Sequence, residues 1–186
     1  MRIIGIDPGS VVTGIGVIEY ADGKVRLLDY DAVIMNSKMP MTVRLKKVYD
    51  SVIGKLSEYK PEELAIETQF FGKNIQSTLK LGQVKGTVII AALNSSVNVF
   101  EYSPREIKKS VTGSGASSKQ QVQYMVKTIL SMRNDDIPSD ASDALAIALC
   151  HHYSVTGAPA SLKKQKRKGT WKEFVYNNPS KIYRKK

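Results

Sequence analysis

One cysteine, two histidines and one tryptophan are all that 186 residues contain of these types. The lone Cys150 has no partner for an internal disulfide. Its place in Ala146-Ile147-Ala148-Leu149-Cys150 marks it as a buried, inert thiol. No His or Cys cluster is available for zinc, because His151 and His152 are adjacent and cannot share a helix face as paired ligands. No apolar run reaches the roughly 18 residues that suggest a membrane span. The opening Met1-Arg2-Ile3-Ile4-Gly5-Ile6-Asp7 is too short an apolar run for a signal peptide and meets an acid at once. These features point to a reducing cytoplasm and away from membranes.

Acid is also scarce. There are 17 Asp and Glu against 28 Lys and Arg, a net charge of +11. The excess is uneven. Residues 157–186 hold 10 of the basic residues and one acid, Glu173, a net of +9. Residues 1–156 therefore hold 18 and 16, a net of +2. The expected organisation is one domain over 1–156, long enough for a real core, and a basic, flexible tail over 157–186, rich in Gly, Pro, Ser and Lys.

Hydrophobic patterning predicts strands over residues 2–7, 12–20 and 25–35. Asp22-Gly23 supplies the turn signal between the second and third. The period then changes. Leu45, Val48, Val52 and Leu56 form a helical stripe within 41–59. A strand over 63–67, a long helix over 74–94 and a strand over 97–102 follow. Ser103-Pro104 opens a short helix, Ser118 caps one over 119–132, and Ser139 or Asp140 caps a last one reaching about Tyr153. The order βββαβαβααα is an α/β pattern: an antiparallel meander, then a first, fourth and fifth strand that run parallel.

Four acids occupy telling places. Asp7 ends the first strand and Glu67 ends the fourth. Asp140 and Asp143 stand three apart at the start of the last helix. Parallel strands would bring Asp7 and Glu67 to the same sheet edge, where α/β folds bind ligands. Each acid also has a plain reading. Asp7-Pro8-Gly9 makes a turn, Glu67 is a solvated strand end, and Asp140 caps a helix. Asp143 fits that reading least, set among Ala141, Ala144, Leu145 and Ala148. Gly5, Gly9, Gly14 and Gly16 read as clearing space around Asp7, for close approach of a backbone or a ligand. Converging carboxylates repel one another and raise each other's pKa values. Two divalent cations would cancel that charge, and a two-metal site clamps both oxygens of an in-line phosphoryl displacement. An all-oxygen ligand set suits Mg²⁺.

Ile4-Gly5-Ile6-Asp7-Pro8-Gly9-Ser10, Ala65-Ile66-Glu67, Leu79-Lys80-Leu81-Gly82-Gln83, Gly113-Ser114-Gly115-Ala116 with Lys119, and Asp140-Ala141-Ser142-Asp143-Ala144-Leu145-Ala146 together resemble the RuvC family of crossover junction endonucleases. The resemblance implies a ribonuclease H-like fold with a five-stranded mixed sheet flanked by helices. It implies a Mg²⁺-dependent homodimer, with Mn²⁺ as a possible substitute, that resolves four-way Holliday junctions in recombination and repair. It implies a branch-migration motor as partner, Asp7, Glu67, Asp140 and Asp143 as metal ligands, and Phe70, Lys108 and Lys119 as DNA-contacting residues. Phe70 would meet unstacked bases. The helix over 74–94 matches the family's dimer helix, with Gly82 and Gly86 allowing close approach. The tail is not part of the resemblance. Its Lys163–Lys168 run and its Trp171, Phe174, Tyr176 and Tyr183 read either as a DNA-binding arm or as a segment that docks elsewhere. An RNA-trimming nuclease of the same fold and a non-catalytic junction binder are the rival readings.

Overall fold

The computed structural model describes residues 1–68, 74–132 and 136–157. Phe70, Phe71, Asp135 and all but the first residue of the basic tail lie outside them. The elements in order are β1 (Arg2–Asp7), β2 (Val12–Ala21), β3 (Lys24–Ile34), α1 (Met41–Tyr59), β4 (Glu63–Glu67), α2 (Ile75–Asn94), β5 (Asn98–Tyr102), α3 (Pro104–Thr112), α4 (Lys119–Ile129) and α5 (Ser139–Thr156).

They build one five-stranded sheet in the order β3-β2-β1-β4-β5. β1, β2 and β3 pair antiparallel, while β1, β4 and β5 run parallel, as the element order predicts. Asp22 (φ 54°) and Gly23 (φ 73°) carry the left-handed backbone of the β2–β3 turn.

Strand alternation sorts the core into two layers. Ile4 and Ile6 of β1, Ile15 and Val17 of β2, and Leu64 and Ile66 of β4 pack under α1 and α2 with Val48, Val52, Val84 and Val88. Ile3, Ile18 and Ala65 face the other side, under α5, with Leu145, Ala148 and Leu149. The central strands are buried on both faces, which is why they read as unbroken apolar runs.

Most boundaries fall within a residue of the sequence reading, and the last two helices differ most from it. α5 is preceded by Pro138 and has no side-chain cap, so neither Ser139 nor Asp140 caps it, and it runs on to Thr156. α4 stops at Ile129 instead of reaching Met132, because Ser131 takes up a left-handed conformation (φ 53°). Ser118 caps α4 as expected, and both α3 and α4 start with a capping box, Ser103 paired to Glu106 and Ser118 to Gln121.

Candidate active site

Period-two alternation aims Asp7 and Glu67. Ile3, Gly5 and Asp7 share the α5 face of β1, and Glu63, Ala65 and Glu67 share that face of β4. Ile6 pairs with Ile66, so the two acids occupy the next position on neighbouring parallel strands. α5 then lays Asp140 and Asp143 over the same end.

The glycines allow that approach. Gly5 pairs with Gly16, and Gly14 with Asp7. A Cβ built on Gly14 would lie 2.0 Å from the Asp140 carbonyl oxygen, and one on Gly5 2.1 Å from that of Ala144. A Cβ on Gly16 would lie 2.7 Å from the Leu145 side chain. Of the two approaches the sequence left open, backbone or ligand, it is the backbone that fills these positions. They admit the α5 backbone, which carries two of the four acids, against β1 and β2. The Cβ space of Gly9 is filled by the Val12 carbonyl within its own turn.

The loop after Asp7 is held at several points. The Gly9 N–H donates to Thr13 Oγ1 (3.3 Å), whose hydroxyl donates to the Gly9 carbonyl (2.9 Å). The buried Arg44 donates from Nη1 to the Ser10 carbonyl (2.6 Å). Neither Thr13 nor Arg44 stands out in the sequence, because their role depends on a turn meeting α1.

Electrostatically the four acids are one group. Burial first, then the charges of Glu67, Asp143 and Asp140, push Asp7 up to about 7, while Lys119 pulls it down. Glu67 is raised by burial and by Asp143, against Lys108 and Lys119. Burial also raises Asp143, against its hydrogen bond to Lys119 and with a contribution from Asp140. Lys119 Nζ stands 2.6 Å from Asp143 Oδ2. For Lys119 itself, burial is outweighed by Asp143, Asp140 and Asp7, and its pKa is raised. A cation in the first turn of α4, oddly placed for the helix dipole, thus has a carboxylate partner. Lys108 and Lys119 line one cleft of about 240 Å³ with Glu67 and Asp143.

As arranged, no three His, Cys, Asp or Glu side chains among the described residues are gathered closely enough to hold a metal ion. The donor chemistry still fits a hard cation. Four carboxylates act on one another's charge, one of them, Asp143, paired with Lys119, and Asp7 is pushed up to about 7 by burial and then by its neighbours' charge. Cys150 is buried, with its thiol pushed up to about 11 by burial, as the sequence suggested for an inert side chain. Among the described residues, no helix is long and apolar enough to cross a membrane.

Residues 3–151 match the family model described as crossover junction endodeoxyribonuclease RuvC. The enzyme of that name from Chloroherpeton thalassium is 49% identical over 181 residues, covering 96% of this chain and 97% of its own. That of Desulforamulus reducens is 42% identical over 151 residues, 81% of this chain and 93% of its own. Among solved structures, Thermus thermophilus RuvC in complex with Holliday junction substrate superposes with a TM-score of 0.79 at 35% identity, over 83% of this chain and 94% of that one. The mixed sheet with its flanking helices is ribonuclease H-like, and the chain belongs to the RuvC family of crossover junction endodeoxyribonucleases.

Proposed function

We propose that this chain resolves four-way Holliday junctions by paired, symmetric hydrolysis of phosphodiesters, leaving 5′-phosphate and 3′-hydroxyl ends, in recombination and DNA repair in the cytoplasm. The family is one of metal-dependent nucleases. The observation that carries the reading is the mutual field of Asp7, Glu67, Asp140 and Asp143 at one end of the sheet. We take all four as ligands for Mg²⁺, two ions per site, with Mn²⁺ as a substitute. Bound divalent ions supply charge neutralisation and Lewis acidity for in-line displacement at phosphorus.

The chain's own residues do the rest. The β1 and β4 ends fix Asp7 and Glu67 side by side, and α5 holds Asp140 and Asp143 above them. Lys119 and Lys108 offset the carboxylates and offer positive charge to the DNA backbone. Phe70, three residues beyond Glu67, is assigned to stacking on unpaired bases at the junction from its sequence position. Residues 1–156 form the nuclease domain, and 157–186 a basic extension.

A homodimer follows from the substrate's symmetry, since one site cuts one strand and a two-fold dimer offers two equivalent sites. α2 carries a suitable face. Ile75 (74% exposed), Leu79 (64%), Ile90 (53%) and Leu93 (56%) line up with Gly82 and Gly86, where an added Cβ would meet nothing within 4 Å. The opposite face, through Val84, Val88, Ala91 and Ala92, packs inside the chain.

The test is Mg²⁺-dependent cleavage of a mobile four-way junction, mapped on every strand. Paired nicks at symmetry-related positions are expected. Binding with no metal-dependent product, or preferential cutting of structured RNA, would overturn the proposal.

A further inference from the structure

A groove of about 1210 Å³ opens between α3, the 113–116 loop and the last turns of α5. None of Asp7, Glu67, Asp140 and Asp143 is among its described lining residues. Tyr102, Cys150 and Tyr153 give it an aromatic and apolar base, and Arg105 and Lys109 stand on its α3 wall. Both are exposed, and among the described residues neither has a salt-bridge partner. The neighbouring Glu106 is engaged elsewhere, accepting from the Ser103 backbone N–H (2.9 Å) and hydroxyl (2.6 Å). An aromatic base beside an unneutralised basic wall suits an aromatic segment that carries an acid.

Such a segment lies on the same chain. α5 ends at Thr156, two residues beyond Ser154 on the groove's rim. From Gly157, fourteen residues lead to Trp171-Lys172-Glu173-Phe174-Val175-Tyr176. This stretch holds the chain's single tryptophan and the tail's only acid, set between two aromatic residues. Fourteen residues treated as a random chain span about 20 Å, and a tether of that length sets an effective concentration on the order of millimolar. Relatives differ in whether they share the tail. The alignment with the Chloroherpeton thalassium enzyme leaves only 4% of this chain unmatched, so it runs through most of the tail. The Desulforamulus reducens enzyme uses 93% of its own length to match 81% of this chain, so the nuclease body recurs without the tail.

We propose that residues 171–176 dock into this groove of their own chain. Trp171 and Phe174 lie against Tyr102 and Tyr153, Glu173 faces Arg105 and Lys109, and the Lys163–Lys168 run is left looped outside as a basic arm. This docking does not depend on the nuclease assignment, and it holds without metal or DNA.

The single tryptophan makes the test direct. In the full chain, free of DNA, Trp171 emission is expected to be blue-shifted relative to the unfolded chain, and its acrylamide quenching several-fold weaker. Ala116→Arg, at an exposed rim position, is expected to return both to unfolded-chain values with the melting temperature of the body unchanged. Arg105→Glu with Lys109→Glu is expected to release Trp171, and adding Glu173→Lys to recapture it. Four outcomes would each overturn the proposal: solvent-exposed Trp171 in the parent, protection appearing only on junction addition, protection that fades on dilution as for a second copy, or protection insensitive to the groove variants.

Discussion

His151 Nε2 lies 2.6 Å from Glu63 Oε2, and the imidazole is fully buried. Its Nδ1 meets the Tyr102 hydroxyl at 2.7 Å, and Phe100 stacks on the ring at 4.5 Å. This pair sets the register of α5 on the sheet. From Asp143 to His151 a helix rises about 12 Å, and from Glu67 back to Glu63 a strand covers about 13 Å. Fastening His151 over Glu63 at one end therefore places Asp143 over Glu67 at the other.

Glu63→Ala leaves a buried ring nitrogen without its partner, at a cost on the order of 1–3 kcal/mol. Thermal unfolding is expected to show that loss. Cleavage at a temperature where the variant is folded should fall further than junction affinity. Full activity in a destabilised Glu63→Ala would show that the pair does not set the acids' register.

Asp7→Asn is expected to abolish cleavage while leaving junction binding largely intact. It also gives a signed effect of pH on the metal-free protein. Asp7 has a folded pKa of about 7, above the unfolded carboxylate value of about 3.9. The protonated form is thus the one the fold favours. The stability Asp7 contributes is complete below about pH 4 and is lost as pH rises through about 7. Metal-free parent protein is expected to melt lower at pH 8 than at pH 5.5, and Asp7→Asn to remove much of that slope. Calorimetry at both pH values, with and without Mg²⁺, checks it. Mg²⁺ should restore the parent far more than the variant.

Gly5→Ala is expected to damage the fold more than a surface Gly→Ala would. Its Cβ cannot stand 2.1 Å from the Ala144 carbonyl oxygen, so α5 must move off the sheet. Overpacking of this kind costs about 1–3 kcal/mol. Cleavage should fall along with the melting temperature, whereas Gly54→Ala, with open space around it, should leave cleavage unchanged.

Leu79→Glu places a charge on the exposed α2 stripe, beside Gly82. Sedimentation equilibrium is expected to show a shift from dimer to monomer with little change in the monomer's far-ultraviolet circular dichroism. Junction nicks should lose their pairing across the two symmetric strands. A variant that stays dimeric would move the interface off this face.

Much of the fold was legible in the sequence because each element states its own period. Ile3-Ile4-Gly5-Ile6 and Leu64-Ala65-Ile66 read as strands buried on both faces, and the Leu45–Leu56 stripe as a helix. Ser103-Pro104 and Ser118 marked where α3 and α4 begin. Asp7, Glu67, Asp140 and Asp143 drew attention because a carboxylate at the end of an apolar run needs a reason. Local pattern could not show what Gly5, Gly14 and Gly16 make room for, since that depends on a helix more than a hundred residues away. It could not find Glu63 with His151, or Arg44 with Ser10, because each reads as an ordinary residue until the chain folds back. Local pattern specifies which segments become strands and helices and which acids are costly. Which of those acids share one electrostatic field is a property of the folded arrangement, because a Coulomb interaction depends on distance in space and the chain encodes only order.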